Sequence, residues 1–317
     1  MKLDLAQQKV CVTGGAGFVG RYVVDILRQR GVIEDRLLVP RRTDYDLTVE
    51  YDVARLYDEF RPDVVIHLAA VVGGIGANRS QPGRFFYENL VMGVHLIEQG
   101  RRQGLRKFVH VGTVCSYPKH CCVPFVEDDL WNGYPEETNA PYGIAKKALV
   151  VMLDSYQRQY GLQSAVVMPT NLYGPYDNFD QASSHVIPAI IRKMDDALRN
   201  GEQRVAAWGS GRASREFLFV VDAAEAIVRA AERIDEPRPI NLGTGRELTI
   251  RELTNLIARL CEFSGEIDWD ESYPDGQPRR CLDTSRALQS LDWQAHTPLE
   301  SGLEQTIAWY RGHQTPR

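Results

Sequence analysis

A glycine-rich run between a short apolar stretch and a helical pattern constrains this chain more than any other feature. Lys9–Thr13 is rich in β-branched residues and predicts a strand, whereas Arg21–Gln29 predicts a helix. Gly14, Gly17 and Gly20 lie between them at intervals of three residues. Such glycines allow a tight turn and a close approach of backbone amides to a pyrophosphate at the positive end of a helix. The run therefore predicts a strand–turn–helix unit that binds a dinucleotide.

Short β-branched runs and helical patterns continue to alternate through the first half of the chain. Further strands are predicted over Arg36–Val39, Val64–Leu68 and Lys107–Gly112, and long helices over Phe85–Gly104 and Pro141–Tyr160. Asn139 or Thr138 is expected to cap the second of these helices, because both residue types accept hydrogen bonds from a first helical turn. The alternation predicts an α/β fold, a Rossmann-like doubly wound parallel sheet with helices on both faces.

The regular alternation breaks after a strand predicted at Ala165–Met168. The polar, proline-containing stretch Pro169–Ser184 indicates a crossing into a smaller substrate-binding region. We interpret Phe217–Val221 and Ile240–Leu242 as strands that return to the main sheet. The expected organisation is a Rossmann domain over 1–170 that binds the dinucleotide, with returns near 215–245, interleaved with a mainly substrate-binding domain over 171–317.

Composition and charge exclude several classes of protein. With 44% hydrophobic residues among 317, the chain can bury a full core. Its net charge of −5 argues against a nucleic-acid or membrane partner. Neither a signal peptide nor an apolar run of membrane-spanning length is apparent, so a cytoplasmic location is expected. Six cysteines at irregular spacing, including the adjacent Cys121 and Cys122, predict free thiols and no metal site.

The end of the second predicted strand bears on the choice of dinucleotide. NAD-specific folds place a carboxylate there to bind the ribose 2′-hydroxyl. In this chain Arg41 and Arg42 follow the strand instead, and a guanidinium can bind a 2′-phosphate that a carboxylate would repel. The sequence therefore favours NADP(H) over NAD(H), with a solvated surface pair of arginines as the alternative interpretation.

Tyr142 and Lys146 form a Tyr-x-x-x-Lys pattern on the long helix predicted after residue 140. Residues four apart share one face of a helix, so the ammonium of Lys146 can lower the pKa of the Tyr142 phenol and make it a usable acid. Thr113, at the end of the preceding predicted strand, can hydrogen-bond the oxygen of a ketone substrate. The three residues predict hydride transfer between a nicotinamide and a carbonyl carbon.

Cys115 and His185 suggest a second kind of chemistry, the movement of protons on carbon beside that ketone. Such carbons are acidified because their carbanion is an enolate, and inversion needs a base on one face and an acid on the other. A thiol and an imidazole suit these tasks. Strand alternation places Thr113 and Cys115 on one side if the strand continues. Taken alone, Cys115 is as well explained as a small core residue, and His185 as a helix cap or surface residue.

Several longer stretches resemble the GDP-L-fucose synthases, a family of 3,5-epimerase/4-reductases among the extended short-chain dehydrogenases. The matching stretches are Ala69–Asn78, Cys115–Lys119, Thr138–Tyr142, Met168–Phe179, Trp208–Gly211 and Arg215–Leu218. The resemblance covers nearly the whole chain, and these motifs are much more specific than a glycine loop.

The resemblance implies a homodimer that uses NADPH to reduce a GDP-linked keto-sugar. It implies that Cys115 is the base and His185 the acid for inversion at C3 and C5, and that Tyr142 and Lys146 serve reduction at C4. The substrate-binding residues it implies are Asn171, Lys193, Trp208, Arg215 and Arg280. The cofactor-binding residues we expect are Gly14, Gly17, Phe18, Val19, Gly20, Arg41, Arg42, Ala69, Lys146, Pro169, Leu172 and His185.

The chain departs from the usual family pattern at several positions. Thr113 replaces a serine and keeps the hydroxyl, Val114 replaces a second serine, Lys193 stands where arginine is common and Arg280 where lysine is common. These exchanges leave open a related nucleotide-linked 4-keto sugar as substrate. A nucleotide-sugar epimerase without net reduction is the alternative enzyme, and a cofactor-sensing binding protein the alternative from another class.

Overall fold

A computed structural model describes residues 2–181, 183–273 and 275–314. Its strands are β1 Val10–Thr13, β2 Leu37–Leu38, β3 Val64–His67, β4 Lys107–Val111, β5 Gln163–Pro169, β6 Asn171–Tyr173, β7 Arg204–Trp208, β8 Ser214–Phe219, β9 Pro239–Leu242, β10 Glu247–Thr249 and β11 Glu266–Asp270. Its helices are α1 Phe18–Gln29, α2 Glu50–Phe60, α3 Ile75–Ser80, α4 Pro82–Arg102, α5 Ala140–Tyr160, α6 Val186–Asn200, α7 Val220–Arg233, α8 Ile250–Cys261, α9 Ser285–Leu291 and α10 Leu299–Gly312.

The main sheet has six parallel strands in the order β2-β1-β3-β4-β5-β9. The chain leaves β1 toward β2 and then crosses to β3 on the other side of β1, so the direction of winding reverses there. Ligands of open α/β sheets bind beyond the carboxyl ends of the strands at such a reversal. The predicted Rossmann-like, doubly wound sheet is confirmed.

Helices cover both faces of this sheet and bury its apolar side chains. One core cluster joins α1 and α7 to one face, with Val23, Leu27 and Ile227 fully buried. A second cluster joins α2, α4 and α5 to the opposite face, with Leu56 and Leu96 fully buried. Burial on both faces explains why these strands are continuous apolar runs rather than alternating ones.

A smaller layer lies beside the main sheet. It contains the three-stranded sheet β10-β8-β6, the two-stranded sheet β11-β7, and a core shared with α6, α8 and α10. The prediction that Phe217–Val221 returns to the main sheet is wrong, because β8 pairs with β6 and β10 and the chain turns into α7 at Val220. The return at Ile240–Leu242 is confirmed, since β9 pairs with β5.

The ends of α5 show which capping signals the sequence identified. Gly161 ends the helix in the left-handed region (φ 73°), a conformation glycine adopts without steric cost. Asn139 occupies the N-cap position, but its side chain makes no capping hydrogen bond and instead donates to Glu136 (Nδ2–Oε2, 2.9 Å). The predicted position of the cap is confirmed, whereas its mechanism is not the expected one.

Within the described residues, no helix combines the length and the apolar character needed to cross a membrane. All six cysteines belong to that part of the chain and are free thiols.

Candidate active site

A cavity of about 1060 Å³ opens at the carboxyl edge of the main sheet, between that sheet and the smaller layer. Its lining comes from the turns after β1, β3 and β4, the first turns of α5 and α6, and parts of β6, β7 and β8. A volume near the upper end of the usual range for ligand pockets suits a large ligand or two adjacent ones. With the exception of Arg41, every residue that the sequence assigned to the site lines this cavity.

The glycine loop lines the cavity, and at two of its glycines there is no room for a side chain. Gly14 is in the left-handed region (φ +71°), and a Cβ on it would lie 2.7 Å from the backbone nitrogen of Ala69. A Cβ on Gly20 would lie 2.1 Å from the Gly14 carbonyl oxygen. Gly17 is the N-cap of α1, so the amides of the first helical turn point toward the cavity end of the helix. The loop therefore fits a dinucleotide pyrophosphate, which requires close backbone approach.

The two arginines after β2 lie in different environments. Arg42 lines the cavity, where its Nε donates to Asp46 (Oδ2, 3.3 Å) and its Nη1 lies 3.9 Å from Glu88. Arg41 is exposed and does not belong to the lining. A bound 2′-phosphate would have to compete with Asp46 and Glu88 for the Arg42 guanidinium.

Tyr142 and Lys146 lie on the first two turns of α5, on the side that faces the cavity. Lys146 is 2% exposed and donates through Nζ to the Val111 carbonyl at the end of β4 (3.1 Å). Burial lowers the pKa of Lys146 to about 8. Burial raises the pKa of Tyr142, with negative charge on Cys115 acting in the same direction and hydrogen bonding to Thr113 opposing it. The expectation that Lys146 lowers the pKa of the Tyr142 phenol is therefore wrong for this structure, because burial makes both charged forms costly.

Thr113 and Cys115 reach the cavity through a turn rather than along a strand. β4 ends at Val111, and residues Val114–Ser116 form a short 3-10 helix whose N-cap is Thr113. The Thr113 hydroxyl accepts a hydrogen bond from the backbone nitrogen of Cys115 (3.2 Å). The strand does not continue to Cys115, so the condition for alignment by strand alternation is not met, although both side chains line the cavity. The capping tendency of threonine is the physical reason.

His185 is the N-cap of α6 and faces the cavity from the side of the smaller layer. Its side chain retains accessible surface there, while the surrounding protein desolvates the ring and lowers the pKa of His185. An imidazole acts as an acid when protonated and as a base when neutral, and the lowered pKa makes the protonated form the stronger acid. Cys115 and His185 thus approach the same cavity from different elements.

Arg215 and Arg280 supply positive charge to this part of the cavity. Burial and the like charge of Arg280 lower the pKa of Arg215 to about 10. Arg280, 6% exposed, donates through Nε to Gln277 (Oε1, 2.8 Å) and through Nη1 to the sulfur of Cys115 (3.5 Å). Asn171 on β6 donates through its side chain to the backbone carbonyl of Glu216 (2.8 Å).

Lys193 and Trp208 lie together in the lining of the cavity. The Lys193 ammonium donates to the Ala206 carbonyl (2.7 Å) and lies 5.3 Å from the centre of the Trp208 ring. Burial, followed by the like charge of Arg192, lowers the pKa of Lys193. Trp208 stacks on Tyr273, with ring centroids 4.3 Å apart and planes within 1° of parallel.

Sequence reasoning missed several polar residues of the lining. Asp275 accepts hydrogen bonds from Ser210 at its backbone nitrogen and hydroxyl (2.7 and 2.6 Å), and its carbonyl accepts one from Arg215 (3.2 Å). Gln277 and Glu136 line the same region. These residues lie in loops without a spacing pattern, so no periodicity or motif marked them. Their sole signal was proximity in sequence to Arg280 and Tyr142.

Comparisons with known proteins agree with this geometry. The family model described as NAD dependent epimerase/dehydratase family matches residues 10–243. The chain is 39% identical over 319 residues to a GDP-L-fucose synthase of Escherichia coli (strain K12), covering 98% of each chain. Two solved structures are also similar. One is a GDP-6-OMe-4-keto-L-xylo-heptose reductase from C. jejuni, with a TM-score of 0.91, 27% identity, and coverage of 99% of this chain and 100% of that one.

The other is an NADP-bound GDP-L-fucose synthetase from Naegleria fowleri, with a TM-score of 0.86, 27% identity, and coverage of 96% of this chain and 94% of that one. The glycine loop, the Tyr-x-x-x-Lys pair and the sheet order are thus found in a chain that belongs to the NAD dependent epimerase/dehydratase family. The resemblance to the GDP-L-fucose synthases drawn from sequence motifs is confirmed by these relatives.

Proposed function

We propose that this chain is an NADPH-dependent epimerase/reductase that converts GDP-4-keto-6-deoxy-D-mannose to GDP-L-fucose. The single observation that carries the proposal is that Tyr142 and Lys146 share one cavity with Cys115 and His185. The first pair suits ketone reduction and the second suits proton exchange on carbon. Relatives named GDP-L-fucose synthase, at 39% identity over nearly the full chain, support the choice of sugar and nucleotide.

When bound, NADPH would supply the hydride for reduction at C4 of the sugar, and Arg42 would pair with its 2′-phosphate. Residues of this chain that would hold it are Gly14, Gly17, Phe18, Val19, Gly20, Arg42, Ala69, Lys146, Pro169, Leu172 and His185. Gly14 and Gly20, at which an added Cβ would lie 2.1–2.7 Å from backbone atoms, support this assignment for the pyrophosphate. Arg41 lies outside the cavity lining and is the weakest member of the predicted set.

Epimerisation precedes reduction, because the C4 ketone is what acidifies the hydrogens on C3 and C5. Cys115 removes a proton from the carbon as base, and His185 returns a proton to the opposite face as acid. The Thr113 hydroxyl hydrogen-bonds the C4 oxygen and so stabilises the enolate charge that develops there. Positioned acid–base groups of this kind contribute rate factors of about 10²–10⁴.

During reduction Tyr142 would donate its phenolic proton to the C4 oxygen. Lys146 lies on the same face of α5 and stabilises the phenolate that remains. Its hydrogen bond to the Val111 carbonyl (3.1 Å) fixes the ammonium at the end of β4. Asn171, Lys193, Trp208, Arg215 and Arg280 would bind the nucleotide and diphosphate portion, since guanidinium groups pair with phosphate oxygens and an indole offers a stacking face.

A related nucleotide-linked 4-keto sugar is the second candidate substrate. The similarity to a GDP-6-OMe-4-keto-L-xylo-heptose reductase favours it, because that protein acts on a differently decorated GDP-sugar. We also propose that the enzyme is a homodimer, as the resemblance implies, and that it is located in the cytoplasm, as expected from the sequence. Light scattering on the purified protein and imaging of a tagged full chain test these two points.

The test is a turnover assay with GDP-4-keto-6-deoxy-D-mannose and NADPH, followed by the loss of absorbance of the reduced nicotinamide. We expect GDP-L-fucose as product, identified by chromatography against a standard. Tyr142→Phe is the control, since it removes the proton donor while keeping the ring. Turnover of a GDP-4-keto-heptose but not of the deoxymannose derivative would favour the second candidate. Product formation without NADPH oxidation would show an epimerase instead.

A further inference from the structure

Glu216 is a fully buried carboxylate on β8, between the cavity-lining Arg215 and the core residue Phe217. None of the arginines or lysines in the described part of the chain forms a salt bridge with it. A buried charge without a counterion is costly unless several hydrogen-bond donors satisfy it. Desolvation raises the pKa of Glu216, and hydrogen bonds from backbone amides oppose that rise.

Backbone amides from two separate segments satisfy the Glu216 carboxylate. Oε1 accepts hydrogen bonds from the backbone nitrogens of Thr244 and Gly245 (2.7 Å for Gly245), in the turn between β9 and β10. Oε2 accepts one from the backbone nitrogen of Leu282 (2.8 Å), two residues after Arg280. One carboxylate therefore links the strand of Arg215 to the segment of Arg280.

Gly243 leaves room for the Glu216 carboxylate, and the backbone carbonyl of Glu216 connects the same residue to β6. A Cβ on Gly243 would lie 2.3 Å from Oε1 of Glu216, so a larger residue there would displace the carboxylate. The Glu216 carbonyl accepts hydrogen bonds from the side chains of Asn171 (2.8 Å) and Thr170 (3.2 Å). Three residues assigned to substrate binding, Asn171, Arg215 and Arg280, are thus held relative to this one residue.

We propose that Glu216 is a positioning residue that sets the separation of the Arg215 and Arg280 guanidinium groups for a nucleoside diphosphate. The inference rests on the proposed function, since it takes the two arginines to bind the diphosphate of the substrate. Paired guanidinium groups recognise phosphate oxygens through directed N–H bonds, so their affinity depends on spacing as well as on charge. Glu216 itself is too deeply buried to touch the substrate.

Glu216→Gln tests this role because it preserves the shape of the side chain. The amide nitrogen of glutamine would face backbone N–H groups at Leu282 or at Gly245, and one of these contacts would become repulsive. We expect the Leu282 segment to shift and carry Arg280 with it. Calorimetric titration with GDP should then show binding weakened about tenfold or more, with NADPH affinity unchanged.

Asp222→Asn is a matched control in the same protein. Asp222 is also fully buried and accepts backbone hydrogen bonds from His296 (3.1 Å) and Thr297 (2.9 Å), but it does not line the cavity. We expect both variants to lower the melting temperature. Only Glu216→Gln should weaken the binding of GDP. Equal GDP affinity in the two variants at comparable melting temperatures would overturn the proposal, because Glu216 would then only stabilise the fold.

Two further measurements keep the test decisive. If Glu216→Gln does not fold, Glu216→Asp replaces it, since the shorter carboxylate cannot reach both the Gly245 and Leu282 amides; unchanged GDP affinity in that variant overturns the proposal. Titrating the wild-type protein with UDP and dTDP separates the positioning role of Glu216 from the choice of GDP as the nucleotide. Binding of one of these in place of GDP would contradict the proposed substrate, and Glu216 would then be tested with that nucleotide. Binding of none of them would overturn the positioning role as well.

Discussion

The guanidinium of Arg280 contacts the sulfur of Cys115, with Nη1 donating to Sγ at 3.5 Å. Gln277 fixes the orientation of this guanidinium by accepting from its Nε (2.8 Å), and Gln277 in turn donates to the Lys119 carbonyl (2.8 Å). A residue predicted to bind diphosphate therefore also touches the residue predicted to exchange protons. The cationic and acid–base parts of the cavity are adjacent rather than separate.

Replacing Arg280 by lysine should slow proton exchange although the charge is kept. A lysine lacks the planar fork that places Nε at Gln277 and Nη1 at Cys115, so we expect the contact that orients the thiol to be lost. We expect the incorporation of solvent deuterium into the sugar to fall about tenfold, equivalent to the loss of one hydrogen bond to a charged group. Arg279→Lys is the control, because Arg279 pairs with Glu247 and does not line the cavity. Equal rates in the two variants would contradict a role for the Arg280 contact.

Arg42→Ala should weaken NADPH binding more than NADH binding, because only NADPH carries a 2′-phosphate. A lost guanidinium–phosphate pair corresponds to about tenfold or more in affinity. Fluorescence titration of both nucleotides measures the ratio. Arg41→Ala should leave the ratio unchanged, since Arg41 lies outside the cavity lining. If Arg42→Ala weakens the binding of both nucleotides equally, the assignment of the 2′-phosphate to Arg42 is wrong.

Gly20→Ala should abolish dinucleotide binding. The added Cβ would lie 2.1 Å from the Gly14 carbonyl oxygen, so the glycine loop must move away from the start of α1. We expect a loss of stability of about 1–3 kcal/mol as well, the usual cost of overpacking. Gly83→Ala is the matched control in the first turn of α4, where an added Cβ meets no atom within 4 Å.

That control should be stabilising by about 0.5–1 kcal/mol, because alanine has the higher helix propensity. Urea unfolding and titration with NADPH measure both effects. Retention of NADPH affinity in Gly20→Ala would show that the loop is not the pyrophosphate site.

Lys146→Met should remove reductase activity and yet stabilise the fold at neutral pH. Burial lowers the pKa of Lys146 from 10.5 to about 8, so keeping it charged costs free energy below pH 8. That cost is about 3 kcal/mol, and losing the hydrogen bond to the Val111 carbonyl offsets about 1 kcal/mol of the gain. We expect a net gain of about 2 kcal/mol at pH 7.

The pH dependence of the unfolding free energy tests whether a buried ammonium destabilises the wild type. Between about pH 8 and 10.5 the folded wild type binds fewer protons than its unfolded chain, so its stability rises with pH relative to the variant. The stability gained by Lys146→Met should therefore decrease between about pH 8 and 10.5. Denaturant unfolding at several pH values measures it, and a constant difference would contradict the buried-ammonium account.

The alternation of strands and helices could be predicted from the sequence, because burial on both faces makes each parallel strand a short apolar run. The glycine loop and the Gly161 helix end were also readable, since each position requires a backbone that glycine provides. Periodicity could not assign β8 to its sheet. Its residues are buried on both faces, as in a main-sheet strand, and only the pairing of Ser214–Phe219 with β6 and β10 settles its place.

The site was predictable where residue type and spacing carried the chemistry. Tyr142, Lys146, Cys115 and His185 line one cavity, and their catalytic roles stay predictions. The turn at Thr113 was missed because its side chain caps a 3-10 helix, a local hydrogen bond that competes with strand continuation. Asp275 and Gln277 were missed because tertiary contacts, rather than a motif, bring their loop to the cavity.

The most direct test of the account is the count of solvent deuterium in the product. Purified enzyme would be mixed with GDP-4-keto-6-deoxy-D-mannose and NADPH in D2O, and the product mass compared among wild type, Tyr142→Phe and Cys115→Ser. We predict carbon-bound deuterium at both C3 and C5 with NADPH oxidation in wild type, exchange without oxidation in Tyr142→Phe, and neither in Cys115→Ser. NADPH oxidation by wild type without carbon-bound deuterium would contradict the account, because it would show a ketoreductase in which Cys115 and His185 move no protons.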